Sequence, residues 1–154
     1  MSRMTQAEAM VAAKAAVIGL LEGSAEAALQ GVQVAWSHPG AAIEKSTVIV
    51  GNSRRDYQKA GPPIGRGTRE ASWRLELAVN VIKRGGVEET ARAASEIAAA
   101  VEREIAANTE LGIPETILYA GVTDADLLEG ARDKSREAEI PLEITVRARL
   151  RAGA

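Results

Sequence analysis

The chain has 154 residues, of which 46% are hydrophobic, but 30 residues are Ala and none is Phe, so we expect a thin core. It contains no Cys and a single His, His38, which excludes disulfide frameworks, thiolate zinc sites, Cys nucleophiles and any site with two His ligands. With 19 Lys and Arg against 21 Asp and Glu, its net charge is −2, without the positive excess of a sequence-independent nucleic-acid-binding protein.

The first predicted element is a helix over residues 5–22. Thr5 and Glu8 form the T-x-x-E pattern of a capping box, in which each side chain accepts a hydrogen bond from the backbone of the other residue. Gly23 ends the helix. The apolar residues that recur at helical spacing, and that we expect to face the core, are Met10, Val11, Ala15, Ile18 and Leu21.

Alternating apolar residues predict three strands in the middle of the chain, over residues 32–36, 47–50 and 70–83. The third is the longest, and one of its faces carries Trp73, Leu75, Leu77, Val79 and Val81. Between the second and third strands, Pro and Gly residues oppose helix and strand alike. We therefore expect a long flexible loop at about residues 52–69, a length that in a small domain usually indicates function or disorder.

The rest of the chain is predicted to hold a helix and two strands. The helix covers residues 87–107, and its inner stripe comprises Val87, Ala91, Ala94, Ile97, Ala98, Val101 and Ile105. A strand over residues 115–122 follows, and then an acidic turn around Asp124 and Asp126. The last strand alternates from Ala138 to Leu150. Because Pro141 removes one backbone donor, we expect this strand, or its first half, at a sheet edge.

This order of elements predicts an α+β fold in a single domain over residues 1–154. The sheet is expected to be mainly antiparallel with four to five strands, and the two main helices are expected to pack on one face of it. No segment is long and apolar enough to span a bilayer, so we expect a soluble chain without a cleavable leader.

Few residues indicate catalysis or ligand binding. His38 lies in a turn with only Ser37 nearby, and a general base needs an orienting partner that the sequence does not offer there. The acidic residues between 124 and 133 miss the spacing of a calcium loop because Leu128 occupies the third ligand position. Residues 61–67 are rich in Gly but match no phosphate-binding loop. We expect no catalytic residue, no metal and no cofactor.

Two groups of basic residues are candidate contacts with other protein subunits. The first lies in and beside the predicted loop and comprises Arg54, Arg55, Lys59, Arg66 and Arg69. It is either a solvated loop or an arm that becomes ordered on an acidic partner. The second lies on one face of the last strand and comprises Arg147, Arg149 and Arg151. It is either an ordinary charged outer face or an inter-subunit salt-bridge seam.

In the order and spacing of its elements, the chain resembles the tail terminator (tail completion) proteins of long, non-contractile-tailed bacteriophages, from about residue 9 to residue 151. The matching pieces are the opening helix that leads into G-V-Q-V at residues 31–34, V-G at residues 50–51, the long loop, the alternating strand from residue 73, a helix with E-x-x-A-x-x-A spacing and the alternating last strand. N-T-E-L-G at residues 108–112 is similar to the D-P-T-L-G turn of that family, with Asn108 and Thr109 in place of Asp and Pro.

The resemblance implies a structural virion protein without catalytic activity. Such a protein assembles as a hexameric ring on the head-proximal end of the tail tube, stops tube polymerisation and offers the surface to which the filled head docks. The implied partners are further copies of the chain, the tail tube protein and a head-completion or connector protein, and the two basic groups become candidate contacts with subunits or the tail tube. The implied location is the tail-neck junction of a virion assembled in the host cytoplasm. Double-stranded DNA would pass through the lumen without specific binding, which suits a near-neutral to acidic subunit.

Two other interpretations stay open. Other ring proteins of the phage neck or tail tube share small α+β folds. A small cytosolic ligand-binding domain or enzyme is a further alternative, and its pocket would draw on His38, Tyr57, Trp73 and Tyr119. A six-fold ring in light scattering and negative-stain imaging favours the ring proteins, whereas a compact monomer with a ligand-shifted melting temperature favours the pocket protein.

Overall fold

The computed structural model describes residues 4–37, 46–55, 68–132 and 135–151. The helices in this part of the chain are α1 (Gln6–Glu22) and α2 (Val87–Ala107), with a short 3-10 turn at Ala27–Leu29. The strands are β1 (Gln33–Ala35), β2 (Ser46–Arg55), β3 (Thr68–Lys83), β4 (Ile117–Ala125), β5 (Leu128–Arg132) and β6 (Ser135–Arg151). The predicted α+β class is confirmed, and both helices begin and end within one residue of their predicted bounds.

The strands form one sheet in the order β1-β2-β3-β6-β4, and β5 pairs with the part of β6 that β4 leaves free. β1 and β2 are parallel, and the other pairs are antiparallel. The described residues thus hold more strands than the four to five predicted. The addition is β5, which arises from the acidic turn. Residues 128–131 of β5 are exposed and show no apolar alternation, so only the pairing with β6 identifies it.

β2 and β3 extend past their predicted ends. Residues 52–55 of the predicted loop belong to β2, and residues 68–69 belong to β3. The rest of that loop, residues 56–67, lies outside the described residues. A register shift between Val50 and Ser53 marks a bulge in β2, which explains why the apolar alternation of this strand stops at Gly51 although the strand continues.

β6 is a central strand, so the prediction of a sheet edge is wrong. It pairs with β3 from Arg136 to Arg151 and with β4 and β5 on its other side. The carbonyl oxygen of Pro141 accepts a hydrogen bond of 3.1 Å from the backbone N–H of Asp126, between the end of β4 and the start of β5. The N–H and C=O of one strand residue point to the same side. A backbone N–H at position 141 would therefore point to the gap between β4 and β5 and not to β3. Pro141 thus removes no hydrogen bond to β3, and the sheet tolerates the proline.

One face of the sheet is apolar and carries the core. Trp73, Leu75 and Val79 of β3 are fully buried on it, and across the ladder Leu75 lies opposite Ile144 and Val79 opposite Ile140. Both helices pack on this face, α1 over β1, β2 and β6, and α2 over β3, β6 and β4. Burying one large apolar side chain in this way stabilises the fold by about 1.5–3 kcal/mol. The predicted layer of two helices on one face is confirmed.

The two helices bury small residues, and their predicted stripes hold only in part. α2 follows its stripe for most of its length, burying Ala94, Ile97, Ala98, Val101 and Ile105. α1 is rotated about its own axis relative to the prediction, so the residues that it buries are Ala9, Ala13, Val17 and Leu21. Because α1 is rich in Ala on all sides, neighbouring stripes are almost equally hydrophobic and the sequence does not select one. Neither helix is long and apolar enough to cross a membrane.

The predicted capping box closes the start of α1. The backbone N–H of Glu8 donates to the Thr5 hydroxyl oxygen, and the backbone N–H of Thr5 donates to a Glu8 carboxylate oxygen, both at 3.2 Å. These hydrogen bonds with Thr5 lower the pKa of Glu8 from its ordinary value, because they favour the ionised carboxyl.

Candidate subunit interfaces

The second face of the sheet, here called the open face, has no helix of the described residues packed on it. Its charged side chains form ion pairs across neighbouring strands: Arg54 with Glu76 at 2.8 Å, Arg147 with Glu70 at 3.1 Å and Arg74 with Glu143 at 3.4 Å. Exposed pairs of this kind contribute at most about 1 kcal/mol each to stability. Their main effect is to hold charged side chains in defined positions on a broad surface.

One half of the open face is basic. Arg147, Arg149 and Arg151 alternate along the last residues of β6 and are exposed. Arg54 lies on the same half, opposite Arg74 in the ladder of β2 and β3. Four of the eight basic residues predicted as contacts therefore come together on one surface.

Of the other four predicted contacts, Arg69 is the one whose side chain the structure describes, and it does not join this surface. Arg69 has its side chain on the helix face, where a guanidinium N–H donates a hydrogen bond of 3.1 Å to the side-chain oxygen of Gln6 at the start of α1. Arg55 is the last residue of β2, opposite Trp73 in the ladder. Lys59 and Arg66 lie outside the described residues. All eight residues stay predicted contacts.

The other half of the open face is acidic and surrounds a shallow depression of about 320 Å³. Glu76 lies opposite Glu143, and Glu143 opposite Asp124, an arrangement of like charges that costs stability and that the ion pairs with Arg54 and Arg74 offset. Among the described residues, no three Asp, Glu or His side chains are grouped so as to hold a metal ion. The depression is lined by the apolar residues Ile49, Ala78, Pro141 and Leu142 and by the carboxylates of Glu76, Asp124, Asp126, Glu139 and Glu143.

Of the residues named for a ligand pocket, the structure describes Trp73 and Tyr119, and these two do not come together. Trp73 is fully buried in the core, whereas Tyr119 is 48% exposed. Their ladder partners in β6 are adjacent in the chain, and adjacent strand residues point to opposite faces of a sheet. The two rings thus lie on opposite sides of the sheet. His38 and Tyr57 lie outside the described residues.

The edge of the molecule formed by α1 and β1 carries an exposed apolar surface, the Trp36 flank, made of Val11, Lys14 and Trp36. Trp36 directly follows β1 and is 47% exposed, and Val11 is 59% exposed. The Lys14 ammonium nitrogen lies 4.6 Å from the centroid of the Trp36 ring, a cation-π distance. Desolvation lowers the pKa of Lys14 from its ordinary value. Lys14 has no carboxylate partner in the described part of the chain.

The opposite edge carries a second apolar surface, the Leu127 groove. Val87 at the start of α2 and Leu127 between β4 and β5 line it together with Ala91, and the two larger side chains are 46% and 54% exposed. Glu88 accepts a hydrogen bond of 2.7 Å from Arg92, whereas Glu129 has no ion-pair partner within the described ranges. The polar lining of the groove comprises Glu88, Arg92, Ser95 and Glu129.

Neither apolar surface was predicted from the sequence. Val11, Val87 and Ala91 were predicted in buried stripes, because helical periodicity does not tell where a stripe passes the margin of the sheet that it covers. The pair Leu127-Leu128 in an acidic turn was a usable signal, since adjacent apolar residues exposed in a polar turn are typical of an interaction site.

The fold is similar to that of a chain from a solved virion. A chain in the solved structure "Virion of native gene transfer agent (GTA) particle" matches 90% of this chain and 98% of its own length, with a TM-score of 0.60 and 18% sequence identity. At this identity the likeness concerns the fold alone. No family model and no curated protein matches the sequence.

Proposed function

We propose that the chain is a structural, non-enzymatic virion protein that forms a hexameric ring on the head-proximal end of a phage tail tube. The observation that carries this proposal is the likeness of fold to a chain of a gene transfer agent virion, which extends over nearly the whole of both chains. The order of elements in the sequence, which resembles the tail terminator proteins, supports the same role. In this role the ring stops tube polymerisation and joins the tail to the head at the tail-neck junction.

The distribution of exposed groups suits an assembly protein better than an enzyme. Exposed apolar surfaces lie at both edges of the sheet, at Trp36 and at Leu127, whereas Trp73 and Tyr119, which were named for a pocket, lie on opposite faces of the sheet. In a ring, each subunit binds its two neighbours through two different surfaces that are complementary to each other. The ring closes when the rotations from one subunit to the next add up to a full turn. The chain offers two such surfaces.

The proposed partners are further copies of the chain, the tail tube protein and a head-completion or connector protein. The basic half of the open face, with Arg54, Arg147, Arg149 and Arg151, and the loop residues Lys59 and Arg66 are the proposed contacts with these proteins. Double-stranded DNA passes through the lumen of the ring without specific binding. A subunit with a net charge of −2 is suited to this because a lumen lined by such subunits attracts DNA phosphates only weakly.

The test of the proposal combines assembly and function. Light scattering and negative-stain images of the purified chain, alone and with tail tubes, are expected to show six-fold rings at one end of each tube. Tube protein polymerising in the presence of the chain is expected to stop at a shorter length. A protein that stays monomeric with tubes, or that leaves tube length unchanged, would contradict the proposed capping role.

A different ring protein of the neck or tail tube is the second candidate, because the likeness is to a chain of a whole virion particle and does not assign a position within it. Images decide between them. A tail tube protein adds along the whole tube, a neck protein binds the head, and a terminator binds one tube end. The order of neighbouring genes gives an independent check, since tail terminators are encoded just upstream of the major tail protein.

The proposed basic contacts are tested by reversing charge. Arg149→Glu combined with Arg151→Glu, and separately Lys59→Glu combined with Arg66→Glu, are expected to weaken capping or head joining. Arg84→Glu is the matched control, because Arg84 is exposed at the other end of β3. If all three proteins cap tubes and join heads like the unaltered chain, these residues are ordinary solvated charges.

A further inference from the structure

We propose that the Trp36 flank of one copy docks into the Leu127 groove of a second copy, so that copies of this chain join head to tail. The inference rests on the proposed ring and names the surfaces that build it.

The two surfaces lie on opposite edges of the same sheet. Trp36 follows β1, which is the first strand in the sheet order. Leu127 lies between β4, which is the last strand in that order, and β5. Four strand spacings separate β1 from β4, which amounts to about 19 Å across the sheet. A surface at one edge and a complementary surface at the other allow each copy to bind a neighbour on both sides.

The strand register relates the positions of the two surfaces along the strands. The ladder connects Leu128 through Glu139, Asn80 and Thr47 to Gln33, and Trp36 is three residues beyond Gln33. Three strand residues correspond to about 10 Å. The two surfaces are thus offset by about 10 Å along the strands over about 19 Å across the sheet, and a tilt of each copy that removes this offset closes the contacts into a ring instead of an open helical filament.

The chemistry of the two surfaces is complementary. Trp36 offers a large exposed ring, and Val87, Ala91 and Leu127 offer an apolar groove on the other edge. Trp is among the residues that contribute most when buried at the centre of an interface. The docking removes exposed apolar area from both copies, which favours their association.

The charges beside the apolar residues agree with this pairing. Lys14 stands over the Trp36 ring, and Glu129 lines the Leu127 groove. Neither has an ion-pair partner among the described residues. When the ring enters the groove, the ammonium group of one copy and the carboxylate of the next are brought together, which fixes the orientation of docking.

Single substitutions test the contact. Trp36→Ser and Leu127→Asp alter exposed side chains, so each variant is expected to fold like the unaltered chain and to lose at least about 30-fold in self-association. Tyr119→Ser is the matched control, because Tyr119 is an equally exposed aromatic residue on the open face, and it is expected to keep rings intact. Circular dichroism and melting temperature check the fold of all three.

Mixing the variants distinguishes this contact from other modes of assembly. Trp36→Ser retains the groove and Leu127→Asp retains the flank, so the mixture is expected to form one-to-one pairs and no rings. Dimers of Leu127→Asp alone would show that the Trp36 flank pairs with itself and would overturn the inference. Rings that survive both substitutions would overturn it too, while the proposed ring function stands. Rings that depend on both surfaces but fail to cap tubes would support the contact and contradict the tail-terminator function.

Discussion

The backbone N–H of Asp126 donates a hydrogen bond of 3.1 Å to the carbonyl oxygen of Pro141, at the point where the partner of β6 changes from β4 to β5. Pro141→Ala is therefore expected to cost no more than about 1 kcal/mol, through the greater entropy of the unfolded chain. Thr145 lies on the same face but pairs with Arg74 on one side and Gly121 on the other.

Thr145→Pro is the control, because it removes a donor from an unbroken ladder and is expected to cost at least about 2 kcal/mol. Urea unfolding of the two variants measures the difference. Equal midpoints would show that the ladder tolerates proline at any position and that the break at Asp126 has no energetic role.

Thr5→Ala is expected to destabilise the chain by about 1 kcal/mol, because it removes the hydroxyl that accepts the Glu8 backbone N–H at the start of α1. Thr5→Ser retains the acceptor and is expected to stay within a few tenths of a kcal/mol of the unaltered chain. Thermal unfolding at neutral pH compares the two. A Ser variant as unstable as the Ala variant would assign the effect to the lost methyl group instead.

The ion pair between Glu26 and Arg103 makes stability depend on pH. Two guanidinium nitrogens of Arg103 donate to the two carboxylate oxygens at 2.7 and 3.1 Å, and these bonds lower the pKa of Glu26 below its ordinary value of 4.5. A carboxyl with a lowered folded-state pKa adds stability that is present above the ordinary value and is lost as the pH falls through the lowered one.

Glu26→Gln is thus expected to be less stable than the unaltered chain at neutral pH and to approach it in acid. Melting temperatures from neutral pH to below pH 4.5 follow this convergence. Adding Glu26→Gln to Arg103→Gln is expected to have little further effect at any pH. A gap that stays constant in acid would show that the pair does not titrate as described.

The ring of Tyr119 covers Gly121 on the exposed edge strand β4, since a Cβ added at Gly121 would overlap the tyrosine ring and its hydroxyl. Gly121→Ala is expected to cost about 0.5–1 kcal/mol by displacing that ring. In a Tyr119→Ala background the same change is expected to be neutral or stabilising, because Ala is preferred to Gly in a strand. A double-mutant cycle measures the coupling. Additive effects would mean that the ring does not cover the glycine in solution.

The indole N–H of Trp73 is buried without a hydrogen-bond partner. Trp73→Phe is therefore expected to cost less than about 2 kcal/mol, because the smaller ring also removes an unpaired donor worth about 1–3 kcal/mol. Ile144→Ala, in the same core, is expected to cost about 2–5 kcal/mol. Chemical unfolding ranks the two, and the reverse order would indicate that the donor is satisfied in solution.

Trp73→Phe also leaves Trp36 as the single Trp, since the sequence has two. The remaining fluorescence then reports on the Trp36 flank. Its emission is expected to move to shorter wavelength as the protein concentration is raised and rings form. An emission that does not change while rings form would place Trp36 outside the contact.

The parts predicted well from the sequence are those in which one physical signal dominates. The alternation of β3 and β6 and the capping box at Thr5 each have a single local cause. β3 and β6 cover the residues that were predicted for them and are slightly longer, and α1 lies within one residue of its predicted bounds. β5 was missed because its pairing partner, not its composition, makes it a strand. The prediction that Pro141 places β6 at a sheet edge was wrong, because the sequence pattern does not show that β4 ends and β5 begins opposite this residue.

The candidate contacts divide in the same way. Alternation along β6 sufficed to place Arg147, Arg149 and Arg151 on one face. The Trp36 flank and the Leu127 groove depend on which part of each helix extends beyond the sheet, and that is decided by the packing of the whole domain. Helical spacing predicted Val11 and Val87 as core residues, and tertiary structure left them exposed.

The central position of β6 has a consequence for synthesis. β6 follows the other described strands in the chain, yet it fills the space between β3 and β4, and its ladder with β3 joins residues as far apart as Thr68 and Arg151. During synthesis, the edges of β3 and β4 that pair with β6 stay unpaired until β6 has left the ribosome. Pairing between residues that are far apart in the sequence is slow. The nascent chain is therefore most prone to aggregate just before β6 emerges.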